Sequence, residues 1–405
     1  MAAFPEGDPA PSDGKLPNIG NLKNKPFSLY VHVPYCSKRC GYCDFNTYTP
    51  SELKISTGLS EISNNYINLV VKELDLVKIK IAESISVSSI FFGGGTPSLM
   101  EPSDIGRVIK KIGDNFDLTN KTEVTLEVNP DSVDKIKLQR FFDAGINRLS
   151  IGMQSAVPKV LQTLDRTHNP ENVSKVVNWA SEVGFKQVSV DLIYGTPGES
   201  KDDWQTSIEA ALALPISHIS AYALIVEPGT KLAAQIKRGE VEQVDDDLTA
   251  EKYLMADQLF TKAGFNWYEL SNWAKNESHS KHNLSYWLGE NWWGIGPGAH
   301  SHLNGERFWN VKHPNSYKEK IELNQLPIAD SEILNKNQIE SERLMLSIRL
   351  TSGIETKSLN EKQLNNLAGY VDSGHLNHSD WQRGRATLTL DGRLIADRIV
   401  REILL

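Results

Sequence analysis

The sequence predicts an α/β protein in which a partial or modified (β/α) TIM-type barrel precedes a small C-terminal α+β domain. From residue 27 to about 270, short β-branched or apolar runs alternate with helix-length segments, as in βα units around a parallel sheet. These runs end in polar or glycine-rich residues, as barrel strands do at a functional edge. The chain of 405 residues is 40% hydrophobic, which suffices for one large domain and a smaller one.

Residues 1–26 contain Pro, Gly and Asp, but neither a basic start nor an apolar signal-peptide region. This composition predicts a disordered tail. No apolar run in the sequence approaches the roughly 18 residues that a transmembrane helix needs. The net charge of −8 gives no broad basic surface for nucleic acid or an anionic membrane.

Seven runs between residues 27 and 270 have the length and composition of strands. They are Phe27–Val33, Ser88–Phe92, Thr122–Val128, Arg148–Ile151, Gln187–Leu192, His218–Ala223 and Phe265–Leu270. Between them, stretches such as 61–82 and 246–263 carry apolar residues at helical spacing and predict amphipathic helices. The residues that follow the strands are the first candidates for a site.

Polar or glycine-rich motifs follow four of these strands. They are Gly93-Gly94-Gly95-Thr96-Pro97, Glu127-Val-Asn129-Pro130, Gly152-Met-Gln154-Ser155 and Asp191-Leu-Ile-Tyr194-Gly195. Three glycines let backbone approach a ligand and leave amides free to bind it, although a tight βα turn is an equal alternative. A single carboxylate such as Glu127 or Asp191 is more often a helix cap or salt-bridge partner. The four motifs would all lie at the same edge of the sheet, and together they predict a binding site there.

All three cysteines lie in one short segment after the first strand, Cys36, Cys40 and Cys43, with the spacing C-x3-C-x2-C. Soft sulfur ligands select iron–sulfur clusters, zinc or copper. A closed zinc site needs four ligands, and His32 could supply the fourth. A [4Fe-4S] cluster held by three cysteines would keep one iron open for chemistry. Clustered cysteines without partners argue against disulfides and for a reducing cytoplasm.

This spacing, with the aromatic Tyr42 before the last cysteine, resembles the signature of the radical SAM superfamily. The resemblance implies that Cys36, Cys40 and Cys43 hold a [4Fe-4S] cluster and that S-adenosylmethionine (SAM) binds its open iron. It also implies an electron donor for the cluster and cleavage of SAM to a 5′-deoxyadenosyl radical. The protein's share of such chemistry is binding, orientation and exclusion of side reactions.

Within that superfamily, everything after the tail resembles the coproporphyrinogen-dehydrogenase-like branch. The resemblance implies SAM contacts from Tyr30, Tyr42, Gly94, Gly95, Thr96, Glu127, Gln154, Arg166 and Asp191. Glycine carbonyls suit the methionine ammonium, and carboxylates suit that ammonium or the ribose hydroxyls. Arg166 suits a carboxylate, although a surface ion pair is the commoner fate of an arginine.

Residues 267–309 hold six of the nine tryptophans and four histidines. Tryptophan offers a large flat face to a ligand, and a planar macrocycle such as a porphyrin would fit such walls. Here the sequence H-N-x-x-Y-W, residues 282–287, resembles the heme-binding motif of HemW-type heme chaperones. The resemblance implies that His282 is an axial heme ligand, with His279 or His300 as substitutes. The alternatives are a hydrogen-bonded His282 beneath an aromatic core and a zinc site with His279, which lacks further ligands nearby.

The run Gly294-Ile-Gly296-Pro-Gly298-Ala-His300 lacks the spacing of a dinucleotide-binding loop. We interpret it as a compact turn that holds backbone near the pocket.

The predicted organisation is a tail over 1–26, a barrel over 27–270, an aromatic and histidine-rich connector over 271–336 and a C-terminal domain over 337–405. The connector ends in a polar linker around 310–336. The last domain is predicted to contain helices at 337–349, near 359–368 and up to residue 404, a strand at Ala386–Leu390 and a turn at Asp391-Gly392, a plan that resembles a winged helix. It has no cluster of basic side chains along one helix, so we expect it to cover the barrel or to dock a partner rather than DNA.

Two functions follow from the resemblance. One is a cytoplasmic heme chaperone that carries the cluster and SAM and delivers heme to heme-accepting proteins. The alternative is an oxygen-independent coproporphyrinogen III dehydrogenase, a radical SAM oxidative decarboxylase. Such dehydrogenases carry a further cysteine where this chain has Phe45 and a longer N-terminal segment, whereas H-N-x-x-Y-W belongs to the chaperones. The sequence therefore predicts the chaperone, without coproporphyrinogen III dehydrogenase activity.

Overall fold

The computed structural model describes residues 4–9, 19–54 and 59–404. Strands in these residues are β1 Asp8–Pro9, β2 Phe27–Val33, β3 Ser89–Gly94, β4 Glu123–Val128, β5 Arg148–Gln154, β6 Gln187–Tyr194, β7 His218–Ala223, β8 Asn266–Glu269, β9 Asn272–Ala274, β10 Asn291–Ile295, β11 His300–Leu303, β12 Glu306–Asn310, β13 Ile328–Ile333, β14 Ile354–Glu355 and β15 Arg385–Ala386. Helices are α1 Leu59–Lys80, α2 Pro102–Asn115, α3 Lys135–Asp143, α4 Pro158–Thr163, α5 Pro170–Val183, α6 Lys201–Leu212, α7 Lys231–Lys237, α8 Asp246–Lys262, α9 Lys281–Trp287, α10 Pro314–Glu322, α11 Lys336–Ser347, α12 Glu361–Asp372, α13 His378–Gln382, α14 Leu390–Leu394 and α15 Ala396–Leu404.

One large sheet has the strand order β1-β13-β12-β11-β10-β2-β3-β4-β5-β6-β7-β9-β8. Its centre is parallel: β2 to β7 follow in sequence order, and β10 joins β2 on the other side. Both margins are antiparallel. The edge strands β1 and β8 do not pair with each other, so the sheet is open. This confirms the predicted α/β fold with an incomplete barrel.

The central strands form because their apolar runs are covered on both faces. All residues of β2 except Tyr30 are buried, as expected of a parallel strand between helices and barrel interior. The helix α2 begins at a proline in its first turn and buries Ile105, Val108 and Ile112, which share one helical face. In the described parts of the chain, no helix is long and apolar enough to cross a membrane.

Six of the seven predicted strands lie in the parallel centre, but the seventh does not. Residues 266–269 form β8, which pairs antiparallel with β9 at the sheet edge. Instead, β10 pairs in parallel with the free side of β2 and aligns Trp293 with Leu29. This strand comes from the segment that we predicted to be a connector. The local sequence cannot reveal this partner because it lies more than 250 residues along the chain.

Our interpretation of residues 310–336 as a polar linker is wrong, because the segment contains α10 and β13. The His313 side chain caps α10, and Tyr317 and Ile321 are buried. The predicted disordered tail also contains structure, since Asp8–Pro9 pairs with β13 at Glu332 and Ile333. Residues 10–18 of that tail lie outside the described residues.

The C-terminal segment packs around a hydrophobic cluster of its own, which includes Leu344, Leu367 and Ile399. The predicted helices are present as α11, α12 and α15, and β14 pairs with β15. The predicted strand at Ala386–Leu390 is wrong beyond Ala386, because β15 ends there and Leu390 begins α14. The predicted turn at Asp391-Gly392 is wrong, because both residues lie within the short helix α14. The domain boundaries themselves stay predictions.

Candidate functional site

The cysteine loop follows β2 and closes on itself between Pro34 and Tyr48. Tyr48 N donates to Pro34 O at 2.7 Å, and Cys36 N donates to Tyr48 O at 3.1 Å. Cys36 is buried, Cys40 and Cys43 are partly buried, and none of the three forms a disulfide. The loop therefore presents three free thiols at the carboxyl end of β2.

Two residues predicted to contact SAM also donate to these thiols. Thr96 Oγ1 donates to Cys36 Sγ, and Arg166 Nη1 donates to Cys40 Sγ, each at 3.6 Å. Arg166 Nη2 donates to Gly152 O at 3.2 Å, which ties the arginine to the end of β5. Hydrogen bonds to sulfur are one means by which proteins set the potential of iron–sulfur clusters. Thr96 and Arg166 would therefore influence a cluster held by these thiols.

Burial disfavours the thiolate form of two of the three cysteines. Burial raises the pKa of Cys36, and it raises that of Cys43 to about 11, so metal binding must displace protons. Among residues 4–9, 19–54 and 59–404, no three His, Cys, Asp or Glu side chains converge as a set that could hold one ion.

The glycine-rich turn at the end of β3 packs directly on the cysteine loop. Gly95 N donates to Val33 O at 2.7 Å, and Thr96 N donates to Tyr35 O at 2.8 Å. Gly94 has a φ of +110°, a conformation that side chains other than glycine rarely adopt. A Cβ on Gly95 would lie 2.5 Å from Tyr35 O. The turn therefore requires glycine at both positions.

Two acidic residues, Glu127 and Asp191, lie on β4 and β6, the two strands that flank β5. Gly94 N donates to Glu127 Oε2 at 3.1 Å, and Ser150 Oγ donates to both carboxylate oxygens of Asp191 at 3.0 and 2.8 Å. Burial raises the pKa of Glu127 to about 8, and the charge of Asp191 adds to the shift. A nearby cation would oppose that shift, so the pair favours a positively charged ligand.

Two buried polar atoms in this region have no hydrogen-bond partner among the described residues, Gln154 Oε1 and Arg166 Nε. Gln154 has a φ of +53° and lies where the register of β5 against β6 shifts. Buried polar atoms are nearly always paired in folded proteins, so these two are expected to bind a ligand. With the glycine turn and the carboxylates, they fit a polar cation such as SAM.

The two predicted SAM-binding tyrosines, Tyr30 and Tyr42, are both partly buried but have different neighbours. A hydrogen bond of 3.0 Å joins Tyr30 Oη to His32 Nδ1, and burial raises the pKa of Tyr30, with Glu127 contributing further. Tyr42 packs against the apolar cluster that contains Leu164 and Leu232. The role of all nine predicted residues in binding SAM stays a prediction.

The predicted heme ligand His282 lies deeper, beside the first residue of β3. Hydrogen bonds of 2.8 Å join His282 Nδ1 to Ser89 Oγ and His282 Nε2 to Tyr286 Oη. Its ring stacks on Phe91 with centroids 5.0 Å apart, and burial lowers its pKa to about 3. Since both ring nitrogens are engaged, iron could bind His282 only after the Tyr286 or Ser89 bond is broken. Its role as an axial ligand stays a prediction.

Sequence reasoning missed a cavity of about 590 Å³ between the cysteine loop and the segment around β10 and β11. Its lining includes Tyr30, Phe45, Tyr286, Trp292, His300 and Lys312. The tryptophan-rich composition indicated an aromatic pocket, but not that residues 44–48 form its opposite side. This volume lies in the range of small-molecule and cofactor sites.

The sequence model of the radical SAM superfamily matches residues 30–211 of this chain. The heme chaperone HemW of Mycobacterium tuberculosis strain H37Rv is 41% identical over 390 residues, which cover 96% of this chain and 98% of that protein. HemW of Bacillus subtilis strain 168 is 33% identical over 85% of this chain and 89% of its own length. The cysteine loop, the strand-end pocket and these matches define a radical SAM protein.

Within that superfamily, the chain belongs to the HemW heme chaperone family, as its full-length similarity shows. A mitochondrial radical S-adenosyl methionine domain-containing protein 1 from Danio rerio is also 36% identical, over 81% of this chain and 73% of its own. Among solved structures, coproporphyrinogen III oxidase (HemN) from Escherichia coli superposes with a TM-score of 0.79. That match covers 95% of this chain and 91% of the other at 20% identity, and shows the shared fold.

Proposed function

We propose that this protein is a heme chaperone that holds a [4Fe-4S] cluster on Cys36, Cys40 and Cys43, binds SAM and delivers heme to heme-accepting proteins. The observation that carries the proposal is the adjacency of two sites. The cysteine loop borders the SAM pocket through Thr96 and Arg166, and it continues into the aromatic cavity through Phe45. The names of the HemW relatives support the same function.

The residues of the SAM pocket have separable tasks. When bound, the cluster and SAM together supply one-electron chemistry. The chain positions SAM: Glu127 and Asp191 attract its positive charge, and Gln154 offers an unpaired acceptor. The amides of Gly94 and Gly95 already donate to Glu127 Oε2 and Val33 O, so the glycine turn would offer SAM its backbone carbonyls. The hydrogen bond from Arg166 to Gly152 O orients the guanidinium.

The proposal also specifies the compartment in which the protein works and the partners that it needs. The three unbridged cysteines are compatible with a reducing cytoplasm, where we place the protein. An electron donor would serve the cluster, and heme-accepting proteins would receive the cargo. Oxygen-independent dehydrogenation of coproporphyrinogen III is the alternative function. The shared fold with HemN does not distinguish the two, because function depends on the site.

Anaerobic reconstitution tests the proposal. We expect about four iron and four sulfide per chain, binding of SAM and heme, and no conversion of coproporphyrinogen III in the presence of SAM and a reductant. Cys36→Ser/Cys40→Ser/Cys43→Ser is the matched control for cluster binding. Efficient formation of vinyl groups would instead assign the dehydrogenase activity, and stoichiometric zinc without sulfide would reject the cluster.

A further inference from the structure

The histidines near the aromatic cavity differ in whether their nitrogens can reach an iron. His32 is buried, and both of its ring nitrogens are engaged, with Tyr30 Oη at 3.0 Å and Asn46 O at 2.8 Å. His282 is equally committed to Ser89 and Tyr286. Neither can bind a metal without losing a hydrogen bond in a buried place, which costs about 1–3 kcal/mol.

His300 stands apart from these two. It begins β11, is exposed and lines the cavity. Its ring stacks on Trp309 with centroids 5.8 Å apart, so the indole supports one face. Its imidazole makes no hydrogen bond to any of the residues that the structure describes. A supported, accessible imidazole with free nitrogens is the form that binds heme iron.

The walls of the cavity suit a flat macrocycle. Tyr286 and Trp292 meet edge to face with centroids 4.7 Å apart, and Phe45 is 59% exposed on the side of the cysteine loop. Such aromatic faces pack on a porphyrin, while its carboxylates require cations. Lys312 is exposed at the cavity, and no ion pair holds it within the described residues. Arg39 is less available because it pairs with Glu52 at 3.3 Å.

We infer that heme occupies this cavity with His300 as its axial ligand and Lys312 beside a propionate. His282 then acts as a positioning residue, since its hydrogen bond to Tyr286 Oη holds a wall of the cavity. The H-N-x-x-Y-W motif would thus contribute Tyr286 to the wall and would not contribute the iron ligand. This inference rests on the proposed heme-chaperone function and specifies its cargo site.

Titration of the reconstituted protein with heme, followed by absorption and resonance Raman spectroscopy, tests the assignment. His300→Ala should lose the iron–histidine signature and bind heme at least about tenfold more weakly, and added imidazole should restore the signature. Lys312→Gln should weaken binding about two- to fivefold, as for an exposed ion pair. His282→Ala should keep the iron–histidine signature even where affinity falls. His378→Ala, an exposed histidine of the C-terminal domain, is the matched control.

The possible outcomes distinguish a failure of the His300 assignment from a failure of the proposed heme-chaperone function. An unchanged iron–histidine signature in His300→Ala would overturn the inference alone, most directly if His282→Ala lost it. Failure of the wild-type protein to bind heme would overturn the proposed function and with it the cargo site. Circular dichroism checks that each variant is folded, which we expect for His300→Ala because the side chain is exposed.

Discussion

Gly95 shows how a single residue shapes the site at the carboxyl end of the sheet. Its amide donates to Val33 O at 2.7 Å, so the turn after β3 lies against the backbone that enters the cysteine loop. A Cβ at this position would lie 2.5 Å from Tyr35 O and 2.9 Å from Val33 O. Both obstacles are backbone atoms, which cannot move without shifting the loop that carries the thiols.

We expect Gly95→Ala to displace this turn and to lower SAM affinity at least about tenfold, with an overpacking cost of about 1–3 kcal/mol. Equilibrium dialysis of the reconstituted variant with labelled SAM, together with thermal unfolding, measures both effects. Gly369→Ala is the matched control: it lies in α12, where an added Cβ meets nothing within 4 Å. It should stabilise the protein by about 0.5–1 kcal/mol. Wild-type SAM affinity in Gly95→Ala would contradict the role of the turn.

At the scale of elements, a buried ion pair joins α8 to the loop that follows β6. Lys252 Nζ donates to Glu199 Oε2 at 2.8 Å and to Glu199 O at 2.7 Å, and both side chains are buried. Glu199 Oε2 also accepts from Gly195 N at 2.9 Å. The pair therefore holds the backbone that continues from Asp191 toward the helix α6.

Removing one partner of this pair should be costly, because a buried charge is left without compensation. We expect Lys252→Met to reduce the free energy of unfolding by about 3–5 kcal/mol, and Lys252→Met/Glu199→Gln to recover part of that loss. Urea denaturation at neutral pH measures the difference. The exposed pair of Lys110 and Asp114 is the comparison, and Lys110→Met should cost less than about 1 kcal/mol. Equal effects at the two sites would contradict the importance of burial.

At the scale of the whole molecule, buried Glu73 connects the first helix to the later part of the chain. Gly296 N and Tyr317 Oη donate to Glu73 Oε2 at 2.8 and 2.6 Å, and Asn310 Nδ2 donates to Oε1 at 2.9 Å. These partners come from the region of β10, β12 and α10. They anchor the turn that leads from β10 to His300, so α1 supports the proposed heme cavity.

This contact predicts a pH dependence of stability. Burial raises the pKa of Glu73 from its usual 4.5 to about 7, although the three hydrogen bonds act in the opposite direction. The folded protein therefore keeps a proton that the unfolded chain loses, and this contribution to stability falls as the pH rises from about 5 to about 8. Glu73→Gln cannot ionise, so the stability of the wild type relative to this variant should decrease over that range.

Chemical denaturation of wild type and Glu73→Gln at several pH values measures that difference. Glu319→Gln, an exposed position on α10, controls for the loss of one carboxylate. A difference between wild type and Glu73→Gln that is constant across the range would reject an elevated pKa at Glu73.

Much of the parallel centre could be predicted because its signals are local. The strands from Phe27–Val33 to His218–Ala223 are apolar runs whose ends carry the site motifs, and a parallel arrangement brings those ends to one edge. The place of β10 could not be predicted, since its pairing with β2 depends on contacts across the whole chain. For the same reason, α10 and β13 were mistaken for a linker whose polar sequence conceals the buried Tyr317 and Ile321.

The sequence by itself determined the class of chemistry, because thiol spacing and strand-end residues are encoded in short segments. Cys36, Cys40 and Cys43, with the glycine turn after them, point to a radical SAM protein without any coordinates. Only the tertiary structure decided which histidine is accessible. His279, His282 and His300 were all candidates in the sequence. Burial and paired nitrogens commit His282 to the interior, and His279 stacks on Tyr268 and is not among the residues that line the cavity. The turn after β10, in contrast, presents His300 to that cavity. Accessibility depends on which distant segments pack together, and no short motif records it.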